Sequence, residues 1–166
     1  MGYTCQYDSP LGSLTLTFDG EALVGLTLGA QTSSSANQLI TDNWQLTTCL
    51  HWLDLYFSGQ YPDFTPPIKL IGTPFQRRVW QALMETPYGK TISYGELARR
   101  IGRRSAQAVG QAVGKNPIAI IVPCHRVVGA HGSLGGYAFG IRRKERLLKT
   151  EASMAPNEAI LTAITS

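Results

Sequence analysis

Three prolines within six residues, Pro62, Pro66 and Pro67, divide the chain. Proline fixes φ and offers no backbone donor, so "YPDFTPPIKL" can be neither a helix interior nor a central strand. It reads as an extended connector between two units. Charge changes sign at the same place. Residues 1–68 carry Asp8, Asp19, Glu21, Asp42, Asp54 and Asp63 and no Lys or Arg. All fifteen basic residues lie between Lys69 and Lys149, against only Glu85, Glu96 and Glu145. The predicted organisation is a first domain over 1–66, a connector over 67–71, a second domain over 72–152 and a tail over 153–166. Such asymmetry points to an anionic partner for the second domain, although solvated helix faces would cluster basic residues in the same way.

The two domains also differ in hydrophobic period. "SLTLTF" and "ALVGLTL" flank Asp19-Gly20, a hairpin signal, so the first domain begins as an antiparallel meander. "GAQTSSSAN" is a loop by composition. "QLTTCLHWLDLYFSGQ" repeats apolar residues at Leu46, Leu50, Leu53 and Phe57, which is helical spacing, and stops near Gly59. In the second domain Thr73 reads as an N-cap with Pro74 at the first helical position. Phe75, Val79 and Leu83 share a face of that helix, and "PYGK" breaks it. Ser93 and Glu96, spaced as a capping box, open another helix that Gly102 closes. "SAQAVGQAVGKNP" follows after a short turn, and the pair forms a helix-turn-helix pattern. Its second helix repeats small residues at Ala106, Gly110 and Gly114. Glycine weakens a helix interior by about 1 kcal/mol, so close approach to a neighbouring helix or to a narrow groove is implied.

"IAIIVPCHRVV" predicts a buried strand that ends at Cys124 with His125 beside it. The plain reading is a core cysteine next to a turn histidine; the chemical one is a nucleophile with its base. A free thiol has a pKa near 8.5, about that of any exposed Cys, and needs a base or cation to become a thiolate. Adjacency does not supply one, because neighbours on a strand point to opposite faces. Cys5, Cys49 and Cys124 form no disulfide pattern. Nothing in the spacing of Cys5, Cys49 and His51 supports a zinc site, so no metal and no cofactor are expected. With no membrane span and no signal peptide, a soluble cytoplasmic protein is expected.

"PCHRVVG", preceded by "GKNPIAIIV", together with "GTPFQRRVWQAL", "ISYGELA" and "LGGYAFGIRRKERLL", closely resembles the O6-alkylguanine-DNA alkyltransferases from about Gly72 to Glu151. "SPLGSLTLTF" and "LYFSGQ" resemble the family's N-terminal domain less closely. The resemblance implies an α/β N-terminal domain, a ribonuclease-H-like antiparallel sheet with a helix. It also implies a mainly α C-terminal domain with the helix-turn-helix. The implied activity is direct-reversal repair, an alkyl group moving from guanine O6, and also from thymine O4, to Cys124. The implied partner is double-stranded DNA containing O6-alkylguanine, bound by a monomer able to act cooperatively along DNA. An S-alkyl thioether has no carbonyl for water to attack, so the chemistry predicts one turnover per molecule.

By the same resemblance His125 acts on Cys124 through a water and Glu151 orients His125, a nucleophile–base–orienter arrangement. Tyr94 would donate to guanine N3, and Asn116 would brace the helix-turn-helix against the active-site strand. The Val127 carbonyl would meet the guanine amino group. Tyr137 would stack on the base and the Ala138 amide would donate to O6, with Gly135 and Val113 completing the pocket. Ala106, Gln107, Gly110, Lys115, Arg104, Arg126 and Ser93 would face DNA. A base inside a duplex cannot reach a buried thiol and must be flipped out. Here the chain departs from the family, which usually reads "ARAVG" where this sequence has "AQAVG". Gln107 therefore stands in place of an arginine that fills the gap left by the flipped nucleotide, and the turn before it is one residue shorter. Gln is uncharged and shorter, so weaker extrusion or a changed preference for the opposite base is expected.

Three other readings fit parts of the pattern. A damage-binding relative without repair activity would lack the cysteine. A thiol hydrolase or redox protein would need turnover or a resolving thiol, and Cys5 and Cys49 are far off in sequence. A transcriptional regulator would need base-edge donors that an Ala/Gly-rich helix does not offer.

Overall fold

In the computed structural model, which describes residues 2–29, 43–103, 105–129 and 133–154, the first half is a three-stranded antiparallel sheet with one helix. The strands are β1 (Tyr3–Ser9), β2 (Gly12–Phe18) and β3 (Leu23–Leu28), in the order β1-β2-β3. Period-two alternation puts Leu14, Leu16 and Phe18 of β2 on one face, opposite Leu28, Leu26 and Leu23 of β3. Helix α1 (Trp44–Phe57) is capped by Asn43, whose side chain accepts from Leu46 N, and it buries Cys49, Trp52, Leu53 and Tyr56.

The connector does not leave the sheet. Leu23 N donates to Pro67 O and Lys69 N to Leu23 O, both at 2.9 Å. Further along the same edge Leu26 N donates to Pro117 O at 2.9 Å and receives Ala119 N on its carbonyl at 3.0 Å. The open edge of β3, which would otherwise expose unpaired backbone groups, is thus covered by the two segments that frame the second half. One hydrophobic core runs through both halves.

The second half contains α2 (Pro74–Met84), β4 (Ile92–Ser93), α3 (Tyr94–Arg100), α4 (Ala106–Gly114), a 3-10 turn (Cys124–Arg126), β5 (Val127–Val128) and α5 (Ile141–Met154). The reciprocal capping box falls at Thr73 and Gln76 on α2, while Ser93 caps α3 by accepting from Glu96 N at 3.1 Å. Gly102 follows α3 with φ +72°, the left-handed conformation that ends a helix. Val79, Trp80 and Leu83 of α2 pack under α3 and α4, and Trp80 Nε1 donates to Ala112 O at 2.8 Å.

The apolar run before Cys124 is not the strand its composition predicts. Only Ile118 makes a strand-like bridge, to Leu26, and then the backbone folds back, with Val122 N donating to Ile118 O at 3.0 Å. Two tight turns lie inside this fold. Ile121 N donates to Ala119 O across Ile120, which has φ +71°. Cys124 N donates to Val122 O across Pro123, at φ −83° and ψ 66°. The second is an inverse γ-turn that suits proline's fixed φ; the first is strained for a β-branched residue, at a cost of about 1–3 kcal/mol. A run of Ile and Val in a strand and one wound into a buried turn look alike in sequence, because both bury every side chain. Arg104, residues 30–37 of the expected loop and residues 155–166 of the tail lie outside the described residues.

Candidate active site

Two short parallel strands set the site. Ile92 pairs with Val127 and Ser93 with Val128. This pairing fixes the residue after Ser93, Tyr94, beside the turn that holds Cys124. Asn116 closes that turn from inside: its Nδ2 donates to Val122 O at 2.8 Å and its Oδ1 accepts from Ile118 N at 3.0 Å. Both ends of one amide thus hold the folded-back segment beside the residue that follows α4.

Cys124 is 8% exposed and opens onto a cavity of about 270 Å³. The lining brings together Tyr94, Gly110, Val113, Asn116, Tyr137 and Ala138 of the predicted residues. Gly114, Gly136 and Phe139 line it too. A larger cavity of about 610 Å³ lies behind Pro123 and Arg126, but Cys124 does not line it. The small residues of α4 now have separate reasons. A Cβ at Gly110 would sit 3.5 Å from the Tyr94 ring, whereas one at Gly114 would meet nothing within 4 Å.

Burial pushes the Cys124 thiol up, while the Asn116 side chain, its own backbone amide and the Lys144 ammonium pull the other way. The net direction is upward, so the resting sulfur is a thiol and must lose its proton to react. Burial likewise raises Tyr94, with a nearby Cys124 charge adding to it, so its phenol stays a donor.

Behind the thiol lies a buried ionic cluster. Glu151, fully buried on α5, accepts from His125 Nε2 and Tyr56 Oη on Oε2 and from Arg126 Nε on Oε1. Burial alone would raise this carboxyl, but His125 and Arg126 outweigh it and hold it at about 2. An ionised carboxylate can only accept, so Nε2 of His125 carries a proton; in the neutral ring this leaves Nδ1 as the acceptor. Nδ1 has no hydrogen-bond partner among the described residues.

Three expectations need correcting in position. Arg126 does not face DNA: it is 4% exposed, donates to Glu151 and to the Thr86 carbonyl, and stacks on the Tyr88 ring at 4.3 Å. A guanidinium so occupied cannot reach a phosphate. Val127 lies behind the pocket wall, fully buried, with its carbonyl accepting from Lys144 Nζ at 2.6 Å. Gly135 has φ +66° and stands outside the lining, within 4.0 Å of Tyr94 when a Cβ is added. Ala106, Gln107 and Lys115 are exposed on or beside α4, and Ser93 caps α3.

Lys144 and Tyr56 were missed. Lys144 is fully buried and also donates to the carbonyls of Leu134 and Gly136, so it ties the pocket loop to β5. A signal for it was present: Lys144, Leu147, Glu151 and Met154 follow helical spacing, and all four are buried. No sequence pattern announces Tyr56, whose contact with Glu151 spans 95 residues.

Comparison with known proteins matches this architecture. Residues 74–153 match the family model "6-O-methylguanine DNA methyltransferase, DNA binding domain", and residues 3–70 the ribonuclease-like domain of the same proteins. The methylated-DNA–protein-cysteine methyltransferase of Mycobacterium tuberculosis is 48% identical over 156 residues, 93% of this chain and 94% of that protein. The one from Methanosarcina acetivorans is 42% identical over 154 residues, covering 91% and 99%. A crystal structure of the M. tuberculosis protein in complex with DNA superposes with a TM-score of 0.80 at 45% identity, covering 96% of this chain and 99% of that one.

Proposed function

The chain belongs to the O6-alkylguanine-DNA alkyltransferase family, and from that premise we propose that it repairs DNA by taking the alkyl group of O6-alkylguanine onto Cys124 Sγ, once per molecule. The observation that carries this is a buried thiol on a base-sized pocket, backed by a histidine whose far nitrogen is held by a buried carboxylate. The domains act as 1–66, a ribonuclease-like sheet domain, and 72–152, the DNA-binding and transfer domain, joined through 67–71.

The exposed face of α4 enters the groove, its Ala106 and Gly114 allowing close approach, and the damaged nucleotide turns out into the pocket. Tyr94 donates to the base and Tyr137 packs on it. His125 Nδ1 takes the thiol proton through a water, and the thiolate attacks the alkyl carbon. The S–C bond forms as the C–O6 bond breaks, with the electron pair passing to guanine, which is protonated. Net, one hydrogen replaces the alkyl group on guanine, and neither oxidant nor cofactor enters the balance. O4-alkylthymine, with the same alkyl–oxygen bond, is the second substrate. The protein works as a cytoplasmic monomer; among the described residues no helix is long and apolar enough to cross a membrane.

Intact mass after incubation with duplex O6-methylguanine DNA tests this reading. One methyl adduct per chain, absent in Cys124→Ser, is expected. Repeated turnover, or tight binding without an adduct, would overturn it.

A further inference from the structure

Tyr56 belongs to the sheet domain, yet it touches the chemistry of the other. It ends α1, is fully buried, and is held by stacking on Trp52 at 5.1 Å and by the edge of Phe57 at 5.1 Å. Its hydroxyl donates to Glu151 Oε2 at 2.6 Å. The same oxygen receives His125 Nε2, while Arg126 takes Oε1. A carboxylate has about four lone-pair directions, and three of these are occupied by donors from two separate segments, α1 and the turn that holds Cys124.

We propose that Tyr56 is a positioning residue for alkyl transfer: by donating to Glu151 Oε2 it fixes the carboxylate that orients His125, so the sheet domain supplies part of the thiol-activating cluster. The proposal rests on the alkyl-transfer reading given above. Two features favour it over simple core packing. The hydroxyl is spent on the oxygen that faces His125, where a purely packing role would need only a ring. Burial also keeps the phenol firmly protonated, as a donor must be. With this donor removed, Glu151 can rotate about its terminal bond and the imidazole loses its fixed aim, since Arg126 alone holds the opposite oxygen.

The test is Tyr56→Phe in the full chain, which keeps the ring and removes one hydroxyl. Transfer rate and affinity for methylated duplex are measured separately, by quenched-flow adduct formation and by binding to Cys124→Ser versions. The expected result is a fall of about tenfold in transfer rate, with affinity unchanged within about twofold. The same change is then made in a Glu151→Gln background, where it should cost nothing further, because the partner charge is gone. Unchanged affinity together with a cooperative melt shows that Tyr56→Phe is folded, so its rate reports the aim of His125 and not collapse. An unchanged rate in Tyr56→Phe, or an equal loss with and without Glu151, overturns the inference while a wild-type Cys124 adduct leaves the function standing. A wild-type chain that forms no adduct removes both.

Discussion

Lys144 Nζ lies 2.6 Å from the carbonyl oxygen of Val127, and the same ammonium also holds Leu134 and Gly136. One buried cation thus joins β5, next to the thiol, to the loop that carries Tyr137 and Ala138. Burial lowers its pKa, and a charge on Cys124 would oppose that. Lys144→Met keeps most of the length and leaves three acceptors without their donor. The expected loss of stability is about 3 kcal/mol or more in urea unfolding, with slower adduct formation. A loss under about 1 kcal/mol would mean that the loop does not depend on this anchor.

Glu151 links stability to pH. Its folded value of about 2 lies below its ordinary value of 4.5. Its contribution is therefore complete above about pH 4.5 and disappears as pH falls toward 2, at most about 3 kcal/mol in all. Wild type and Glu151→Gln should differ in unfolding free energy at pH 7 and converge steadily below pH 4.5. A gap independent of pH would show that the carboxylate charge is not what the cluster holds.

Gly110 packs against the Tyr94 ring with room for one methyl group. Gly110→Ala should stabilise α4 by about 0.5–1 kcal/mol and leave transfer largely intact. Gly110→Leu should fill the pocket mouth and abolish the adduct while the protein still melts cooperatively. Full activity in the leucine variant would place the base elsewhere.

Gln107 is exposed on the first turn of α4, capped by Ser105. Gln107→Arg should raise the transfer rate on duplex DNA by roughly fivefold and leave the rate on free O6-methylguanine unchanged. Gln107→Ala should slow the duplex reaction only. If neither substitution alters the duplex rate, this side chain does not fill the space of the flipped nucleotide.

The helix ends were legible because each rests on local chemistry. Thr73, Ser93, Gly102 and the Asp19-Gly20 turn act within a few residues of themselves, and they stand where their side chains and φ values require. For α1 the spacing located the helix but not its buried face: of Leu46, Leu50, Leu53 and Phe57 only Leu53 is fully buried, beside Cys49, Trp52 and Tyr56. The segment before Cys124 was not legible, since a strand and a wound turn bury the same apolar residues and only long-range backbone partners separate them. Arg126 misled for a related reason. A cation in a basic domain suggests an anion outside, yet its anion, Glu151, lies 25 residues away inside the protein.

The sequence by itself determined the two-part organisation, the helix-turn-helix, the Pro-Cys-His corner and the family likeness, all of which are written in local patterns. Tertiary structure alone decided that Tyr56 reaches Glu151, that Lys144 holds the loop, and that β3 pairs with both the connector and the segment leading to the thiol. The physical reason is desolvation. Buried charges and unpaired backbone groups must find partners wherever the fold brings them, and those partners are distant in sequence.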